Sequence, residues 1–347
     1  MFLSIVGSVY VKNTVNVVMV LVGTFIGAGF ASGREIWQYF GIFGKFGIFG
    51  IVISCILLSA FTYCTAYNIV LLGCNNYVRE LCKFRWVNWL LNAYMVLMLC
   101  TMITAFGEML NQSFGFPKIA GVLLVDVVTM TILYFGAKGI VKLNIIVTPL
   151  IIAGIVFALF ANNIKEVFSY NNFVTSSAIY TSYNVISLPF VMLGMKKSFL
   201  DKKQMLLCSV LFGTVICILA FCVLEILKFS DVSLSIPLLS SVKGNFNYLF
   251  IGVVAMAMLT TAVSNGYGFV TGGGFAKNSA IVFLGVIAVL FSFFSFNFVI
   301  KYLYSLFGYM GLYMFLKNFY IFLKNREKYR KSKINVLKIT INPNKRL

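Results

Sequence analysis

Long apolar stretches, separated by short polar segments, make up most of this chain. A helix rises 1.5 Å per residue, so each stretch is long enough to cross about 30 Å of hydrocarbon, or nearly so. The pattern therefore predicts an all-α polytopic membrane protein with about ten transmembrane helices. The predicted spans are 14–43, 47–73, 88–112, 118–135, 138–161, 174–195, 204–227, 245–271, 279–297 and 298–323.

The first span is interrupted by glycine where a transmembrane helix should be most regular. The run Gly27–Gly33 holds three glycines in seven residues, and a glycine costs about 1 kcal/mol in a helix interior. Backbone released from a helix in the bilayer must be satisfied again, usually around a buried cavity. We predict a helix broken at mid-membrane, with Ser32 and Glu35 as a capping box for its second half. A glycine-rich packing face is the alternative.

The sixth span repeats this anomaly. Polar Tyr183 and Asn184 lie at its middle, and Pro189 follows shortly after. Proline is tolerated in the first turn of a helix, so a second half-helix is predicted to begin near Ser187. Two interrupted spans, five helices apart, are typical of an inverted-repeat transporter. A simple proline kink is the alternative for the sixth span taken alone.

The eighth span carries a stripe of small and hydroxylic residues on one helix face. Its members, at helical spacing, are Ala257, Thr260, Thr261, Ser264 and Gly268. Hydroxyl and carbonyl oxygens without a formal charge suit a weakly held hard cation such as sodium. Helix packing through Ser and Thr, which is common in membranes, is the alternative.

Several acidic residues fall within or at the ends of the predicted spans. Asp126 lies near the middle of the fourth span, where a charge costs about 2.5–3.5 kcal/mol, so we expect it to face protein. Glu108, near the outer end of the third span, is expected to line a vestibule. Together with Glu35, these residues are the proton-coupling candidates. Arg34 is a candidate for an outer gate.

The basic residues predict the orientation of the chain. With the N-terminus inside, the cytoplasmic side receives eleven Lys and Arg residues and the outer side six, before Lys317 and the tail Lys324–Leu347 are counted. The positive-inside rule then places both termini in the cytoplasm of a multi-pass plasma-membrane protein. The tail carries nine Lys and Arg residues. We expect it to lie on the anionic inner leaflet, unless it is only a topology anchor.

Composition excludes several other classes of function. Of 347 residues, 61% are hydrophobic and 11% are charged, so the chain cannot build a water-soluble surface. The net charge of +19 reflects the orientation asymmetry, and no nucleic-acid-binding module accompanies it. The chain has no histidine, and its eight cysteines show no metal or disulfide spacing. No span clusters metal ligands or a nucleophile with a base, so the sequence predicts a non-enzyme without a cofactor.

Five segments carry a resemblance to a known family. They are GTFIGAGFASGREIWQYFGIFGKFGIFGI in the first span, KGIVKLNIIVTP at the fifth, YTSYN in the sixth, IPLL after the seventh and LTTAVSN in the eighth. These segments resemble the YkvI-type bacterial membrane protein family. That family resembles the amino acid–polyamine–organocation superfamily, whose LeuT-type fold consists of two inverted five-helix repeats. The resemblance covers nearly the whole chain apart from the basic tail.

The resemblance also implies residue roles. A coupling sodium ion is implied between the first-helix break and the eighth helix, bound by Gly23, Ile26, Ala257, Thr260 and Thr261. The implied solute-binding residues are Ala28, Gly29, Phe30, Met102, Ala105, Phe106, Tyr180, Ser182, Tyr183 and Asn184. The chain departs from the family pattern in one respect: no tyrosine near the middle of the third span is available to bind a carboxylate, which argues against an amino acid.

These inferences predict four segments and one activity. The segments are a cytoplasmic N-terminus at 1–12, the first five-helix repeat at 13–162, the second at 173–323 and the basic tail at 324–347. We expect a secondary active transporter of a small polar or zwitterionic solute, such as an amino acid or related amine, coupled to sodium and working by alternating access. Two alternatives stay open: a proton-coupled transporter, and a non-transporting ligand sensor resembling spore-germination receptor subunits.

Overall fold

The computed structural model describes residues 2–135, 148–156, 172–199, 201–241, 246–272 and 276–341, and these are nearly all helical. In the first half the helices are α1 (Phe2–Phe25), α2 (Ala28–Ala31), α3 (Arg34–Tyr39), α4 (Phe46–Leu72), α5 (Cys74–Leu81), α6 (Arg85–Phe114), α7 (Lys118–Phe135) and α8 (148–156). In the second half they are α9 (Phe173–Asn184), α10 (Leu188–Gly194), α11 (Lys202–Leu227), α12 (Pro237–Ser241), α13 (Phe246–Gly272), α14 (Lys277–Phe291), α15 (Phe296–Phe298) and α16 (Ser305–Ile341).

Six helical segments among the described residues are long and apolar enough to cross a membrane. They are Phe46–Leu72, Arg85–Phe114, Lys118–Phe135, Lys202–Leu227, Asn247–Val270 and Phe296–Arg326. These segments correspond to the second, third, fourth, seventh, eighth and tenth predicted spans. Two shorter apolar helices, Tyr10–Phe25 and Lys277–Phe291, fall in the first and ninth spans. Most of the fifth span, 138–161, lies outside the described residues. The chain is therefore a multi-pass helical membrane protein.

Helical hydrogen bonding lapses twice within the first predicted span. The last bond of α1 runs from Ile26 N to Val22 O at 2.9 Å, and Gly27 is extended, with φ −98° and ψ −172°. Four helical residues follow before a second interruption, where Gly33 adopts φ +80°. That left-handed conformation favours glycine, because an L side chain would be strained there.

The predicted capping box at the second interruption is wrong. Gly33, not Ser32, is the N-cap of α3. The Ser32 hydroxyl accepts a hydrogen bond from Arg34 N at 3.2 Å and donates one to Gly29 O at 3.1 Å. The left-handed Gly33 turns the chain between Ser32 and α3, so the Glu35 side chain is free to bind elsewhere.

The sixth predicted span is divided into two helices. Residues 185–187 form a turn between α9 and α10, and Val185 N still bonds to Thr181 O at 3.0 Å. Ser187 is the N-cap of α10, and Pro189 lies in the first turn of that helix. A proline in the first turn sacrifices no internal hydrogen bond, which explains why the chain restarts there.

The junction between the ninth and tenth predicted spans lies earlier than the expected position near Asn297. Helix α14 ends at Phe291, and the Ser295 hydroxyl caps α15 by accepting from Phe298 N at 3.3 Å. A π-helical segment, Val299–Tyr304, then leads into α16. Helix α16 continues without a break through most of the basic segment that follows the predicted span.

Helix α16 packs closely against both α9 and α4. A Cβ atom on Gly311 would collide with the carbonyl oxygen of Ser182, so glycine is needed for this approach to α9. Toward α4, the buried Asn318 accepts a hydrogen bond from Asn68 Nδ2 at 2.9 Å and from the Tyr77 hydroxyl at 3.0 Å. It also donates to Thr65 Oγ1 at 2.8 Å. This polar network joins α4, α5 and α16.

Candidate functional site

The end of α1 meets α13 through a hydroxyl–carbonyl contact. The Thr261 hydroxyl donates to the carbonyl oxygen of Ile26 at 3.2 Å, directly before the extended Gly27. One residue earlier on α13, the Thr260 hydroxyl donates to Ala257 O at 3.1 Å. All four of these residues are buried, as is Gly23 one turn before Ile26. Uncharged hydroxyl and carbonyl oxygens are the donor set that a hard monovalent cation accepts.

Met102 of α6 lies against the same interruption. The backbone N–H of Ala28 donates to Met102 Sδ at 3.1 Å. A Cβ on Gly27 would lie 3.3 Å from Met102 Cε and 3.6 Å from Thr261 Cγ2. Ala105 is fully buried and Phe106 is half-buried on the same helix. The α6 wall and the first interruption therefore meet at Met102, although its thioether already accepts the first amide of α2.

A buried carboxylate lies beside the second half of the interrupted segment. Glu35 is only 4% exposed, and its Oε2 accepts a hydrogen bond from the Tyr183 hydroxyl at 2.6 Å. A Cβ on Gly29 would collide with Glu35 Oε1, so this carboxylate is packed over the Gly29 backbone. The predicted capping role of Glu35 is thus replaced by a link between α3 and α9.

Four tyrosine rings surround this carboxylate link, and we call them the tyrosine cluster: Tyr39, Tyr180, Tyr183 and Tyr304. The Tyr183 ring centroid lies 5.5 Å from that of Tyr39, 5.6 Å from that of Tyr180 and 4.9 Å from that of Tyr304. The Tyr180 hydroxyl is buried and has no hydrogen-bond partner within the described part of the chain. The cluster combines aromatic faces with an unsatisfied hydroxyl group.

Sequence reasoning missed three of the aromatic residues at this site: Tyr39, Tyr94 and Tyr304. The Tyr94 hydroxyl donates to the carbonyl oxygen of Tyr183 at 3.1 Å, just before the turn that follows α9. Tyr39 shares the first span with Glu35, one helical turn further on, so helical spacing was an available signal. Tyr94 and Tyr304 reach the site only through tertiary packing.

Three of the predicted solute-binding residues make contacts within or between helices. Phe30 lies edge-on against Phe25, with centroids 6.0 Å apart. The carbonyl of Ser182 faces Gly311, and Asn184 Nδ2 donates to Tyr180 O at 3.0 Å within α9. Of the predicted set, the structure brings Gly29 and Tyr183 together around Glu35, and Ala28 together with Met102.

Asp126 lies in a different part of the molecule from Glu35. It is 8% exposed and lines a cleft of about 600 Å³ between α7 and α14. Its Oδ1 atom has no hydrogen-bond partner among the described residues, and a Cβ on Gly285 would lie 3.3 Å from Oδ2. Val127 and Val282 of the same cleft are largely exposed. Asp126 is therefore buried against α14, beside an apolar cleft at the edge of the helix bundle.

The other charged candidates have partners. Glu108 Oε1 forms an ion pair with Lys118 at 3.0 Å and accepts from Phe296 N at 3.0 Å, which ties α6 to α7 and α15. The Arg34 guanidinium donates to the carbonyl oxygen of Val232 at 2.5 Å, in the loop after α11. Glu108 thus joins three helices, and Arg34 bonds to the loop after α11.

Comparison with known proteins supports the resemblance seen in the motifs. The sequence is 26% identical over 318 residues to the uncharacterized protein YyaD of Bacillus subtilis, covering 85% of this chain and 93% of that protein. It is 28% identical over 150 residues to the uncharacterized membrane protein YkvI of the same organism, covering 38% of this chain and 40% of that protein. The resemblance to YkvI-type membrane proteins is confirmed. No protein-family profile matches the sequence.

Two solved structures with a similar fold are those of transporters. One is Mhp1, a nucleobase-cation-symport-1 family transporter, with a TM-score of 0.51 and 12% identity over 83% of this chain and 74% of that chain. Another is a Na⁺-coupled sialic acid symporter, with a TM-score of 0.52 and 12% identity over 86% of this chain and 76% of that chain. At this level of identity the comparison shows a shared fold.

Proposed function

We propose that this protein is a secondary active transporter that moves a small polar or zwitterionic solute, coupled to sodium, by alternating access. The observation that carries the proposal is the contact between the Thr261 hydroxyl and the Ile26 carbonyl, where α1 stops. An ion bound to these oxygens would couple its own binding to the relative position of α1 and α13. Two proteins of similar fold are described as a nucleobase-cation-symport family transporter and a Na⁺-coupled symporter, which supports the proposal of cation-coupled transport.

In the proposed transport cycle, the half-helices move about the two interruptions, which act as hinges. We assign the two five-helix repeats to 13–162 and 173–323, with the breaks at Gly27 and at 185–187 in corresponding positions. Segments 1–12 and 324–347 flank them on the cytoplasmic side of the plasma membrane, and the basic tail lies on the anionic leaflet. A half-helix can tilt about an interruption without breaking further backbone hydrogen bonds, which is what alternating access requires.

The proposed ion site consists of five oxygens on two elements. Gly23, Ile26 and Ala257 contribute carbonyls, and Thr260 and Thr261 contribute hydroxyls. The two threonine hydroxyls donate to Ala257 O and Ile26 O, so four of the five oxygens are already paired within 3.2 Å. Binding a cation would reorient both hydroxyl protons and leave the oxygens where they are. The solute site adjoins it, between the first interruption, α6 and α9.

Sodium-dependent stabilisation of the purified protein tests the proposal. Replacing potassium chloride by sodium chloride at equal ionic strength should raise the Tm of the parent protein, because a ligand at 100 times its Kd stabilises by about 2.7 kcal/mol. The double variant Thr260→Ala, Thr261→Ala should lose this shift. Thr129→Ala is the matched control, because Thr129 is also buried and its hydroxyl bonds within its own helix. An unchanged sodium response in the double variant would show that sodium does not bind at Thr260 and Thr261.

Proton coupling is the second candidate, and Asp126 is the observation that favours it. Asp126 Oδ1 is buried near the middle of a span and has no partner among the residues that the structure describes, and such a carboxylate can take up and release a proton. Asp126 lies on α7, which packs against α6, α13 and α14. A change of its charge could therefore act on the helix that carries Thr260 and Thr261.

A further inference from the structure

The solute site of the proposed transporter contains its own anion. The Glu35 carboxylate is packed over the Gly29 backbone, directly after the first interruption, where a Cβ atom would collide with it. Gly29 is one of the residues at which the family resemblance implies that the solute binds. In this chain, the Glu35 side chain occupies that position.

The backbone amide of Ala28, at the same interruption, already has a hydrogen-bond acceptor. Ala28 N–H donates to Met102 Sδ at 3.1 Å, and α2, which follows, is only four residues long. The middle of the third span holds no tyrosine that could bind a second carboxylate. The nearest α6 tyrosine, Tyr94, donates its hydroxyl to Tyr183 O. A solute carboxylate would therefore meet Glu35 without a compensating donor, and like charges at short range repel strongly in a medium of low dielectric constant.

Glu35 has no cationic partner in the described part of the chain. The two ion pairs found there are Lys118–Glu108 and Lys228–Glu225. Arg34, its neighbour in sequence, donates instead to Val232 O. A buried carboxylate with one neutral hydrogen-bond donor is costly, and a cation from outside the chain would offset that cost.

The groups around Glu35 suit an ammonium ion. Ring faces attract cations through their quadrupole, and four tyrosine rings make up the tyrosine cluster around the Glu35–Tyr183 bond. The unpartnered Tyr180 hydroxyl can accept a hydrogen bond from an ammonium N–H. A carboxylate inside an aromatic wall is complementary to an organic cation and not to an organic anion.

We infer that Glu35 is the specificity-determining residue of the site, and that the site takes a solute with an ammonium group and no carboxylate. This inference rests on the solute site of the proposed transporter and narrows its substrate from zwitterions to simple amines. Glu35 pairs with the ammonium group, and the tyrosine cluster contacts the carbon atoms next to it.

Matched pairs of probes test the inference on the parent protein. Each pair is an amino acid and the amine that lacks only its carboxylate: leucine with 3-methylbutylamine, and tyrosine with tyramine. In sodium, the amine of each pair should raise the Tm and bind at least 10-fold more tightly than the amino acid. The uncharged 3-methylbutan-1-ol should have no effect. If the amino acids stabilise the protein and the amines do not, the inference is overturned.

Glu35→Gln tests the residue itself. Glutamine keeps the size of the side chain and can still accept from Tyr183, but it carries no charge. Amine affinity should fall at least 10-fold in Glu35→Gln and stay at the parent value in Glu225→Gln, which removes a carboxylate paired with Lys228 far along α11. Equal amine affinity in Glu35→Gln and the parent would rule Glu35 out. If Glu35→Gln does not fold, the probe pairs on the parent protein decide.

The same measurements separate this inference from the proposed function. Sodium without any solute reports on the ion site, and Glu35→Gln should keep that sodium response because Glu35 is not among its oxygens. A parent protein that binds amines through Glu35 but does not respond to sodium would contradict sodium coupling and support the inference. A parent protein that responds to sodium and binds amino acids rather than amines would support sodium coupling and contradict the inference.

Discussion

Tyr183 and Glu35 join the two interrupted segments of the chain through one short hydrogen bond. The Tyr183 hydroxyl, near the end of α9, donates to Glu35 Oε2 on α3 across 2.6 Å. Both residues are buried, so water does not compete for the bond. Glu35 follows the left-handed Gly33 and Tyr183 precedes the turn at 185–187, so the bond connects two places where the helical backbone is interrupted.

Removing this bond should destabilise the folded protein. Tyr183→Phe leaves the ring in place and takes away the hydroxyl that donates to Glu35 Oε2, and hydrogen bonds to charged groups are worth about 1.5–3 kcal/mol. Thermal unfolding should show a lower Tm than the parent. Tyr309→Phe is the control, because that side chain is 67% exposed. A Tm equal to that of the control would mean that the bond contributes nothing measurable.

Gly29→Ala should destabilise the protein only while the Glu35 side chain is present. The new methyl group would occupy the space of Glu35 Oε1, and overpacking of this kind costs about 1–3 kcal/mol. In a Glu35→Ala background that cost should largely disappear, which a double-mutant cycle of unfolding measurements can show. Gly252→Ala is the control, because a Cβ there meets nothing within 4 Å. Additive effects of the two substitutions would show that the side chains do not compete for space.

Asn318→Leu should loosen α16 from α4 and α5. The substitution removes the acceptor of the Tyr77 hydroxyl and one hydrogen bond each from Asn68 and Thr65, and a buried polar group left unsatisfied costs about 1–3 kcal/mol. We expect a clear fall in Tm and earlier proteolysis of α16. Asn76→Ala, at an exposed position whose amide bonds within the same turn, should have little effect. Parent-like stability of Asn318→Leu would show that the network is dispensable.

Asp126→Asn distinguishes the two coupling candidates. If sodium drives transport, this isosteric change should leave sodium-driven amine uptake into proteoliposomes within about twofold of the parent. Asp231→Asn, a substitution in the exposed loop after α11, is the control for charge removal. Uptake driven by a pH gradient without sodium, and lost in Asp126→Asn, would favour proton coupling. Binding without uptake under either gradient would instead favour a ligand sensor.

Local features of the chain were sufficient to predict the positions of the interruptions. Glycine and proline act on their own backbone, so Gly27, Gly33 and Pro189 mark places close to where the helices stop or restart. The six long apolar segments were equally local, because a stretch of hydrophobic residues must cross the bilayer whatever its neighbours are. The hydroxyl stripe on α13 was predicted from helical spacing, since residues at i and i+4 share a face.

The partners of individual side chains could not be predicted in this way. Glu35 was assigned to a capping box because Ser32 lies three residues before it, but the left-handed Gly33 changes the direction of the chain between them. Its real partner, Tyr183, is 148 residues away in sequence. Tyr94 and Tyr304 gave no sequence signal, because nothing in their own helices indicates which neighbour they face.

The sequence by itself determined the class of protein, the six long apolar helices and the positions near which the described helices stop or restart, since all of these follow from each residue's own transfer free energy and backbone preferences. The tertiary structure alone decided that Glu35 lies over Gly29 within the tyrosine cluster, that Met102 takes the Ala28 amide, and that Asp126 lines a cleft at the edge of the bundle. Those facts depend on how helices distant in sequence pack together, and packing is set by the shapes of all the contacting side chains at once.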